Sequence, residues 1–160
     1  MRKAVYLDRD GTINVDKGYV YKPEDFEFID GVPEVIKCLN DLVYLVIVVS
    51  NQSGIARGFY TSGDVINPHK YIDNELLKYG AHIDAYYFCP HHPDFGIECN
   101  CRKPKTGMIE QAMKDFDINL NESWIVGDKN SDVECSSKVG IRGILITLND
   151  NLNKFVYELK

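Results

Sequence analysis

The chain has 160 residues, enough for one domain with its own core, and its 44% apolar and 26% charged residues are ordinary for a soluble globular protein. Its formal net charge of −6 and its pI of about 5.2 argue against a nucleic-acid-binding surface. No apolar run approaches the roughly 20 residues that cross a bilayer, and the start lacks the apolar stretch of a signal peptide. We therefore expect a cytoplasmic protein without a membrane segment.

Short apolar runs alternate with stretches of helical periodicity along the chain. Strands are predicted at 4–7, 44–49, 85–88, 124–126 and 143–146, and helices at 30–43, 67–80, 106–116, 131–138 and within 149–160. This alternation predicts a three-layer α/β fold with a mainly parallel sheet, in a single domain over residues 1–160. The longest stretch between predicted core elements is a loop that begins at Cys89, which leaves no room for a large inserted lid.

Some expectations concern single residues. Asn67-Pro68 is interpreted as the cap and first residue of the second helix, because proline is favoured in a first helical turn. Cys38 and Cys135 lie in helical patterns and are expected to be small buried hydrophobic residues. His69 and His82 are expected at the surface.

Polar side chains recur where four of the predicted strands end. In a parallel sheet these carboxyl ends lie side by side, and open α/β sheets bind their ligands there. Each has a plain structural explanation when taken alone, since acidic and glycine residues are ordinary in turns and a lysine can be a solvated charge. Their coincidence at four strand ends favours a functional crevice. The set comprises Asp8, Asp10, Ser50, Arg102, Lys103, Asp128, Lys129 and Asp132.

Phosphoryl transfer to a carboxylate needs this combination of groups. A carboxylate can attack phosphorus and form an aspartyl phosphate, but the approach of two anions needs a divalent cation. Asp8 and Asp128 offer the hard oxygen ligands that suit Mg²⁺. Lys103 and Ser50 can hold the oxygens of the transferring group. Asp10, two residues from Asp8, is placed to protonate the leaving alcohol and then to deprotonate water.

The loop over residues 89–105 concentrates metal-ligating side chains. Three of the five cysteines, Cys89, Cys99 and Cys101, fall within thirteen residues, together with His91 and His92. Three thiols and one imidazole suit a tetrahedral Zn²⁺ site with all positions filled, which is a structural rather than a catalytic metal. Free thiols in a loop are the alternative. The zinc would fold the loop and fix the residues that follow it.

Segments that resemble all four sequence motifs of haloacid-dehalogenase-type (HAD-type) phosphatases are present: Asp8-Arg9-Asp10-Gly11-Thr12, Ser50, Lys103 and Gly127-Asp128-Lys129-Asn130-Ser131-Asp132. The resemblance spans the domain and implies a Rossmann-like three-layer core of the capless class. It implies that Asp8 is the nucleophile and Asp10 the general acid/base. It also implies Mg²⁺ held by Asp8, by the backbone carbonyl of Asp10 and by Asp128.

Within that superfamily, residues 51–58 and the doubled histidine after Cys89 resemble the heptose bisphosphate phosphatases. The spacing of the cysteine loop also resembles theirs and favours His91 over His92 as the zinc ligand. The implied reaction removes the 7-phosphate of D-glycero-D-manno-heptose 1,7-bisphosphate, in nucleotide-activated heptose biosynthesis, with Mg²⁺ and a structural Zn²⁺. The implied substrate contacts are Asp16, Lys17, Gly18, Tyr19, Ser50, Asn51, Gln52, Ser53, Arg102, Lys103 and Lys129, with Arg102 for the second phosphate or sugar hydroxyls.

Three alternatives stay open at the level of sequence. Histidinol-phosphate phosphatases share the zinc loop but differ in its spacing and after Ser50. A phosphoacceptor signalling domain also arrays carboxylates, a hydroxyl and a lysine at strand ends, but it has no reason for a zinc loop or for Asp10. Against a third alternative, a catalytically inactive, zinc-folded binding module, counts the retention of five residues: Asp8, Asp10, Ser50, Lys103 and Asp128. The expected partner is a small sugar phosphate, with no nucleic acid or membrane, and the expected state is a monomer.

Overall fold

Parallel strands form one sheet in the computed structural model, which describes residues 1–96 and 98–159. The strands are β1 (Ala4–Leu7), β2 (Leu45–Asn51), β3 (Ala85–Cys89), β4 (Trp124–Gly127) and β5 (Arg142–Leu145). Their order across the sheet is β3-β2-β1-β4-β5, so the first strand lies at its centre. Ile97 of the cysteine loop and Lys160, the last residue of the predicted terminal helix, lie outside the described residues.

The register of the central strand brings the motifs to one edge. Leu7, at the end of β1, pairs with Val48 on one side and with Val126 on the other. All neighbouring strands are parallel, so the residues that follow these positions leave the sheet at the same edge. Asp8 therefore lies between the ends of β2 and β4. Ser50 lies within β2 and pairs with Phe88. The strand therefore continues past residue 49, where the sequence predicts its end.

Helices cover both faces of the sheet. They are α1 (Val32–Asp41), α2 (Ser62–Leu77), α3 (Gly107–Asp115), α4 (Asn130–Val139) and α5 (Asn153–Leu159). Val5 and Leu7 face a core with α1, α2 and α5, while Ala4 and Tyr6 face a second core with α3 and α4. This alternation along β1 is what a strand buried on both sides requires.

The predicted three-layer α/β fold is confirmed. The described residues contain no separate cap domain between these elements. None of the helices in the described part of the chain has the length and apolar character of a membrane span.

The predicted start of the second helix is wrong. Helix α2 begins at Ser62, and Thr61 caps it by accepting a hydrogen bond from the Asp64 N–H at 3.2 Å, while Asp64 accepts from the Thr61 N–H at 2.8 Å. This reciprocal capping box fixes the helix start. Pro68 lies inside the helix, where its missing N–H leaves the carbonyl of Asp64 without its helical donor.

Two single-residue expectations are also wrong. Cys38 is exposed, because it lies on the outer face of α1, whereas Cys135 of α4 is buried as expected. His69 is buried in α2, and its ring stacks on Tyr86 at 4.2 Å between centroids. His82 is exposed, as predicted.

Candidate active site

The opening turn after β1 packs directly on the loop that follows β4. The Asp8 N–H donates to the Val126 carbonyl at 3.0 Å, and the Thr12 hydroxyl donates to Asp128 Oδ1 at 3.0 Å. Gly11 has a φ of +88°, and a β-carbon there would lie 2.7 Å from Asp128 Oδ2. Only glycine combines this backbone conformation with so close an approach. The turn therefore brings Asp8 and Asp128 into one site.

Lys103 joins two carboxylates at the centre of the site. Its buried ammonium group donates to Asp8 Oδ1 at 3.0 Å, to Asp132 Oδ1 at 2.6 Å and to the Val49 carbonyl at 2.8 Å. These three bonds use all of its hydrogens. Burial tends to lower the pKa of Lys103, but the two carboxylates outweigh burial and hold that pKa above its ordinary value. The lysine is therefore a fixed positive charge beside Asp8.

Three carboxylates cluster around this lysine. Oxygen atoms of Asp8, Asp128 and Asp132 lie within 4.8 Å of one another. Burial, together with the negative charge of Asp8, raises the pKa of Asp128 to about 7, because two neighbouring carboxylates without a cation repel each other. One lysine does not balance three acids. A cluster of hard oxygen donors with surplus negative charge fits Mg²⁺.

Asp10 is held by donors on every side. Arg9 donates to both of its oxygens, at 3.1 Å and 3.2 Å, Asn14 donates to Oδ1 at 3.0 Å and Gln52 donates to Oδ2 at 3.0 Å. Burial opposes ionisation, but the charge and hydrogen bonds of Arg9, with those of Asn14 and Gln52, keep the pKa of Asp10 below its ordinary value. This arrangement stabilises the carboxylate, which is the form that accepts a proton.

A cavity of about 320 Å³ opens beside Asp10. Its walls come from the turn after β1, the loop after β2 and the start of α4. It is lined by Asp10, Asp16, Gly18, Tyr19, Asn51, Gln52, Ser53, Tyr60 and Lys129. Most of the residues expected to contact substrate are therefore brought together at one place.

Four of the expected substrate contacts do not line this cavity. Lys17 forms an exposed ion pair with Glu27 at 3.2 Å. Arg102 donates to the His91 carbonyl at 3.2 Å and lines a neighbouring cavity of about 510 Å³ beside the cysteine loop. Ser50 and Lys103 are buried beneath the site, and neither belongs to the walls of the smaller cavity.

The cysteine loop gathers a second group of metal-ligating atoms. Ligand atoms of Cys89, His91, Cys99 and Cys101 lie within 4.8 Å of one another. His91 Nδ1 is 3.7 Å from the Cys89 sulfur and 3.5 Å from the Cys101 sulfur. His92 lies outside the cluster, because its Nδ1 accepts from the Asp94 N–H and its Nε2 contacts Arg57. Three sulfurs and one imidazole nitrogen in this arrangement fit a tetrahedral Zn²⁺.

The sequence predicts no catalytic, metal-binding or substrate-binding role for several residues of the site. Asp132 was placed at the strand ends, but its pairing with Lys103 depends on the start of α4. Arg9 is fully buried, and an arginine inside a buried acidic turn is a signal that it pairs with a neighbour. Tyr60, whose hydroxyl donates to Gln52, had no local signal, because only the fold of the loop after β2 brings the two together.

Comparison with known proteins agrees with this geometry. A family model described as HAD-hydrolase-like matches residues 100–151. A D-glycero-β-D-manno-heptose-1,7-bisphosphate 7-phosphatase of Haemophilus ducreyi is 44% identical over 146 residues, covering 88% of this chain and 80% of the relative. A D-glycero-α-D-manno-heptose-1,7-bisphosphate 7-phosphatase of Burkholderia mallei is 44% identical over 149 residues, covering 90% of this chain and 79% of the relative.

A solved structure extends the match to the fold. The D,D-heptose 1,7-bisphosphate phosphatase of B. bronchiseptica, complexed with magnesium and phosphate, has a TM-score of 0.84 and 31% identity, covering 98% of this chain and 86% of that one. Fold and site together thus define a hydrolase of the HAD-like class, and the resemblance inferred from the sequence is confirmed. Within that class, the chain belongs to the family of D-glycero-D-manno-heptose-1,7-bisphosphate 7-phosphatases.

Proposed function

We propose that this chain hydrolyses the 7-phosphate of D-glycero-D-manno-heptose 1,7-bisphosphate through an aspartyl phosphate on Asp8. The single observation that carries the proposal is the position of Asp8, which lies beside the Lys103 ammonium and two further carboxylates at the edge of the sheet. The names of the relatives supply the substrate. The chain is proposed to act as a single-domain, cytoplasmic monomer.

The first half-reaction transfers the phosphoryl group to the enzyme. A carboxylate oxygen of Asp8 attacks phosphorus, the bond between phosphorus and the sugar oxygen breaks, and the departing oxygen takes a proton from Asp10. The Ser50 hydroxyl can donate to an oxygen of the transferring group, and the fixed positive charge of Lys103 stabilises the negative charge of that group. Mg²⁺, held by Asp8, Asp128 and the backbone carbonyl of Asp10, would offset the repulsion between the carboxylate and the phosphate.

The second half-reaction releases phosphate. Water attacks the aspartyl phosphate, its proton passes to Asp10, and the bond between phosphorus and Asp8 breaks. The four donor contacts to Asp10 support this step, because they hold the carboxylate in its ionised form. The proton that Asp10 gains here is the one that it supplies to the next leaving group.

The cysteine cluster is proposed to hold a structural Zn²⁺ on Cys89, His91, Cys99 and Cys101. The link from this cluster to the site is short, because Cys101 is followed directly by Arg102 and Lys103. Arg102 bonds the carbonyl of the ligand His91, which ties its guanidinium to the cluster. In this position Arg102 is proposed to recognise the second phosphate or the sugar hydroxyls. The proposed sugar contacts are the other residues that line the smaller cavity, namely Asp16, Gly18, Tyr19, Asn51, Ser53 and Lys129.

Replacing the nucleophile tests the mechanism directly. Asp8→Asn should lower kcat/KM by about 10⁴-fold or more, because an amide cannot form the aspartyl phosphate. The measurements are phosphate release and trapping of the phosphoenzyme, with an unchanged circular dichroism spectrum. Asp30→Asn, at an exposed aspartate, is the matched control and should keep its activity. Near-normal turnover by Asp8→Asn would contradict the assignment.

The substrate is tested by competition among candidates. The relatives' names divide between the two anomers of the bisphosphate, so kcat/KM should be compared for both anomers and for histidinol phosphate. The proposal expects a heptose bisphosphate to exceed histidinol phosphate by at least about 100-fold. The reverse ranking would replace the heptose proposal with the histidinol one. Absence of steady turnover of any phosphate ester would favour a phosphoacceptor or inactive module.

A further inference from the structure

We propose that Gln52 is a positioning residue for the reaction, whose side-chain amide holds the carboxylate of Asp10 and the hydroxyl of Ser50 in the orientations that proton transfer and phosphate binding require. The inference rests on the proposed function, because that function gives Asp10 and Ser50 the roles that Gln52 would support. It differs from the sugar contact that the resemblance implies for Gln52.

The side-chain amide of Gln52 is buried, and both its nitrogen and its oxygen have hydrogen-bond partners. Its Nε2 lies 3.0 Å from Asp10 Oδ2 and 2.5 Å from Ser50 Oγ, and its Oε1 lies 2.6 Å from the Tyr60 hydroxyl. Gln52 itself is only 2% exposed. An amide nitrogen has two hydrogens, so these contacts leave no N–H of Gln52 for a sugar hydroxyl.

The orientation of the amide follows from the chemistry of its partners. An ionised Asp10 can only accept hydrogen bonds, so the atom of Gln52 that faces it must be the nitrogen. The oxygen then faces Tyr60, and the Tyr60 hydroxyl must be the donor. Tyr60 is buried and stacks on Tyr21 at 4.9 Å, which holds this hydroxyl in place.

This orientation also decides how Ser50 is used. The Ser50 oxygen accepts one hydrogen from Gln52, so its own hydrogen is left to donate elsewhere. A phosphoryl oxygen needs a donor. Gln52 therefore turns the hydroxyl of Ser50 into a donor for the phosphate while it holds one oxygen of Asp10.

Close packing around Tyr60 supports the arrangement. A β-carbon on Gly54 would collide with the Tyr60 ring, so the loop after β2 can bring the tyrosine over Gln52 only with glycine at that position. The amide thus has a fixed anchor on the side away from Asp10. A side chain that only touched the sugar would not need such an anchor.

The test separates positioning from substrate contact by kinetics. Gln52→Met keeps a similar volume but removes every hydrogen bond. With heptose bisphosphate, kcat should fall about 10- to 100-fold while KM changes by less than about 3-fold, because the lost interaction acts on the transition state. A rise in KM with kcat unchanged would overturn the inference and make Gln52 a sugar contact.

A second readout uses esters that lack a sugar. For a series of aryl phosphates, log kcat/KM of Gln52→Met should decline more steeply with the pKa of the leaving phenol than it does for the wild type, because a misplaced Asp10 assists poor leaving groups less. An unchanged slope would contradict the role toward Asp10. Gln52→Glu, which matches the side chain in size, should also lose kcat, because a carboxyl group cannot donate to Asp10 and Ser50 together.

The control separates this inference from the proposed function. Gln111 is an exposed glutamine of α3 that bonds Asp115, and Gln111→Met should behave as the wild type. If the wild type and Gln111→Met both fail to hydrolyse heptose bisphosphate, the proposed function is wrong. If both are active and Gln52→Met is as active as they are, the positioning role alone is wrong.

Discussion

At the scale of single residues, the site is a set of buried charges that balance one another only in part. Lys103 neutralises part of the charge of Asp8 and Asp132, while Arg9 is fully buried and pairs with Asp10. Buried charges cost free energy unless they are paired and hydrogen-bonded. The unbalanced charge lies on the carboxylates nearest the proposed metal, so the metal and the phosphate would complete an electrostatic arrangement that the protein leaves incomplete.

His69 gives a pH-dependent prediction at this scale. Burial, with a smaller effect of Arg9, lowers the pKa of His69 to about 3, and its Nε2 has no hydrogen-bond partner among the described residues. The folded state therefore binds fewer protons than the unfolded state between pH 3 and the ordinary histidine pKa of about 6.5. The burial of neutral His69 therefore does not lower the free energy of unfolding above about pH 6.5. Below that pH the free energy of unfolding falls, because the unfolded chain binds a proton at this histidine and the folded chain does not.

The variant His69→Phe removes this titration but keeps an aromatic ring against Tyr86. Between pH 7.5 and pH 5, the free energy of unfolding of the wild type should fall by about 2 kcal/mol more than that of the variant. Urea unfolding at the two pH values measures it. His82→Phe, at an exposed histidine, is the matched control. Equal losses in the wild type and His69→Phe would show that His69 is accessible to protons in the folded state.

The burial of His69 also shows what sequence reasoning lacks at this scale. His69 follows Asn67 and Pro68 and precedes Lys70, and in such a local sequence a histidine resembles a surface residue. Its partner Tyr86 lies in β3, and only the packing of α2 on the sheet brings the two rings together. The carboxylates of the candidate site were predictable for the opposite reason, because the local sequence itself shows that they follow strands.

At the scale of elements, the loops at the carboxyl edge depend on how the helices after them begin. Helix α4 starts beside Lys129, whose N–H donates to Asp132 Oδ2 at 3.2 Å, so the same carboxylate caps the helix and pairs with Lys103. Helix α2 starts with the capping box at Thr61, immediately after Tyr60. Each helix start therefore fixes a residue of the site.

Removing the cap of α2 gives a prediction for this element. Thr61→Ala should lower the free energy of unfolding by about 1 kcal/mol, because the N–H of Asp64 loses its acceptor. Thermal or urea unfolding measures it. Thr106 occupies the equivalent position before α3 without a side-chain cap, so Thr106→Ala is the matched control and should cost less. Equal costs for the two variants would mean that the cap does not stabilise α2.

The start of α2 could have been found from the sequence, whereas its tolerance of Pro68 could not. Thr61 followed three residues later by Asp64 is the pattern of a capping box. Asn67-Pro68 is a second start signal only six residues further on, and local propensity does not rank the two. Burial of Val65, Pro68 and Ile72 along one face of α2 decides for the earlier start, and that face exists only in the folded chain.

At the scale of the whole molecule, the cysteine cluster lies in the long loop that carries Arg102 and Lys103 to the carboxyl edge of the sheet. Cys99→Ser should reduce the zinc content to less than half an equivalent and lower kcat/KM, because the loop that carries Arg102 and Lys103 would lose the cross-link that the proposed zinc provides. Elemental analysis of protein purified without chelator measures the first effect, and turnover with added Mg²⁺ measures the second. Cys38→Ser, at an exposed cysteine outside the cluster, should keep both. Full zinc content in Cys99→Ser would argue against the proposed ligand set.

The architecture was the most predictable level, because alternating strands and helices leave few topologies that bury both faces of a parallel sheet. The sequence interpretation placed Asp8, Ser50, Lys103 and Asp128 at strand ends, and the sheet brings those ends to one edge. It did not reveal that Lys103 would donate hydrogen bonds to both Asp8 and Asp132. The separation of Lys17 from the cavity was equally hidden, because loop conformation depends on contacts made far away in the chain.

The central position of β1 has a consequence for how the protein is made. During synthesis β1 emerges long before β4, yet the Ala4 N–H bonds the Ser123 hydroxyl across 119 residues and Asp8 bonds the carbonyl of Val126. Such distant pairing slows folding, because the intervening loop must be closed first. The middle of the sheet can therefore be completed only after most of the chain has been synthesised. Chains interrupted before β4 carry Asp8 without Asp128, and we expect them to be inactive and prone to aggregation through the unpaired edge of β1.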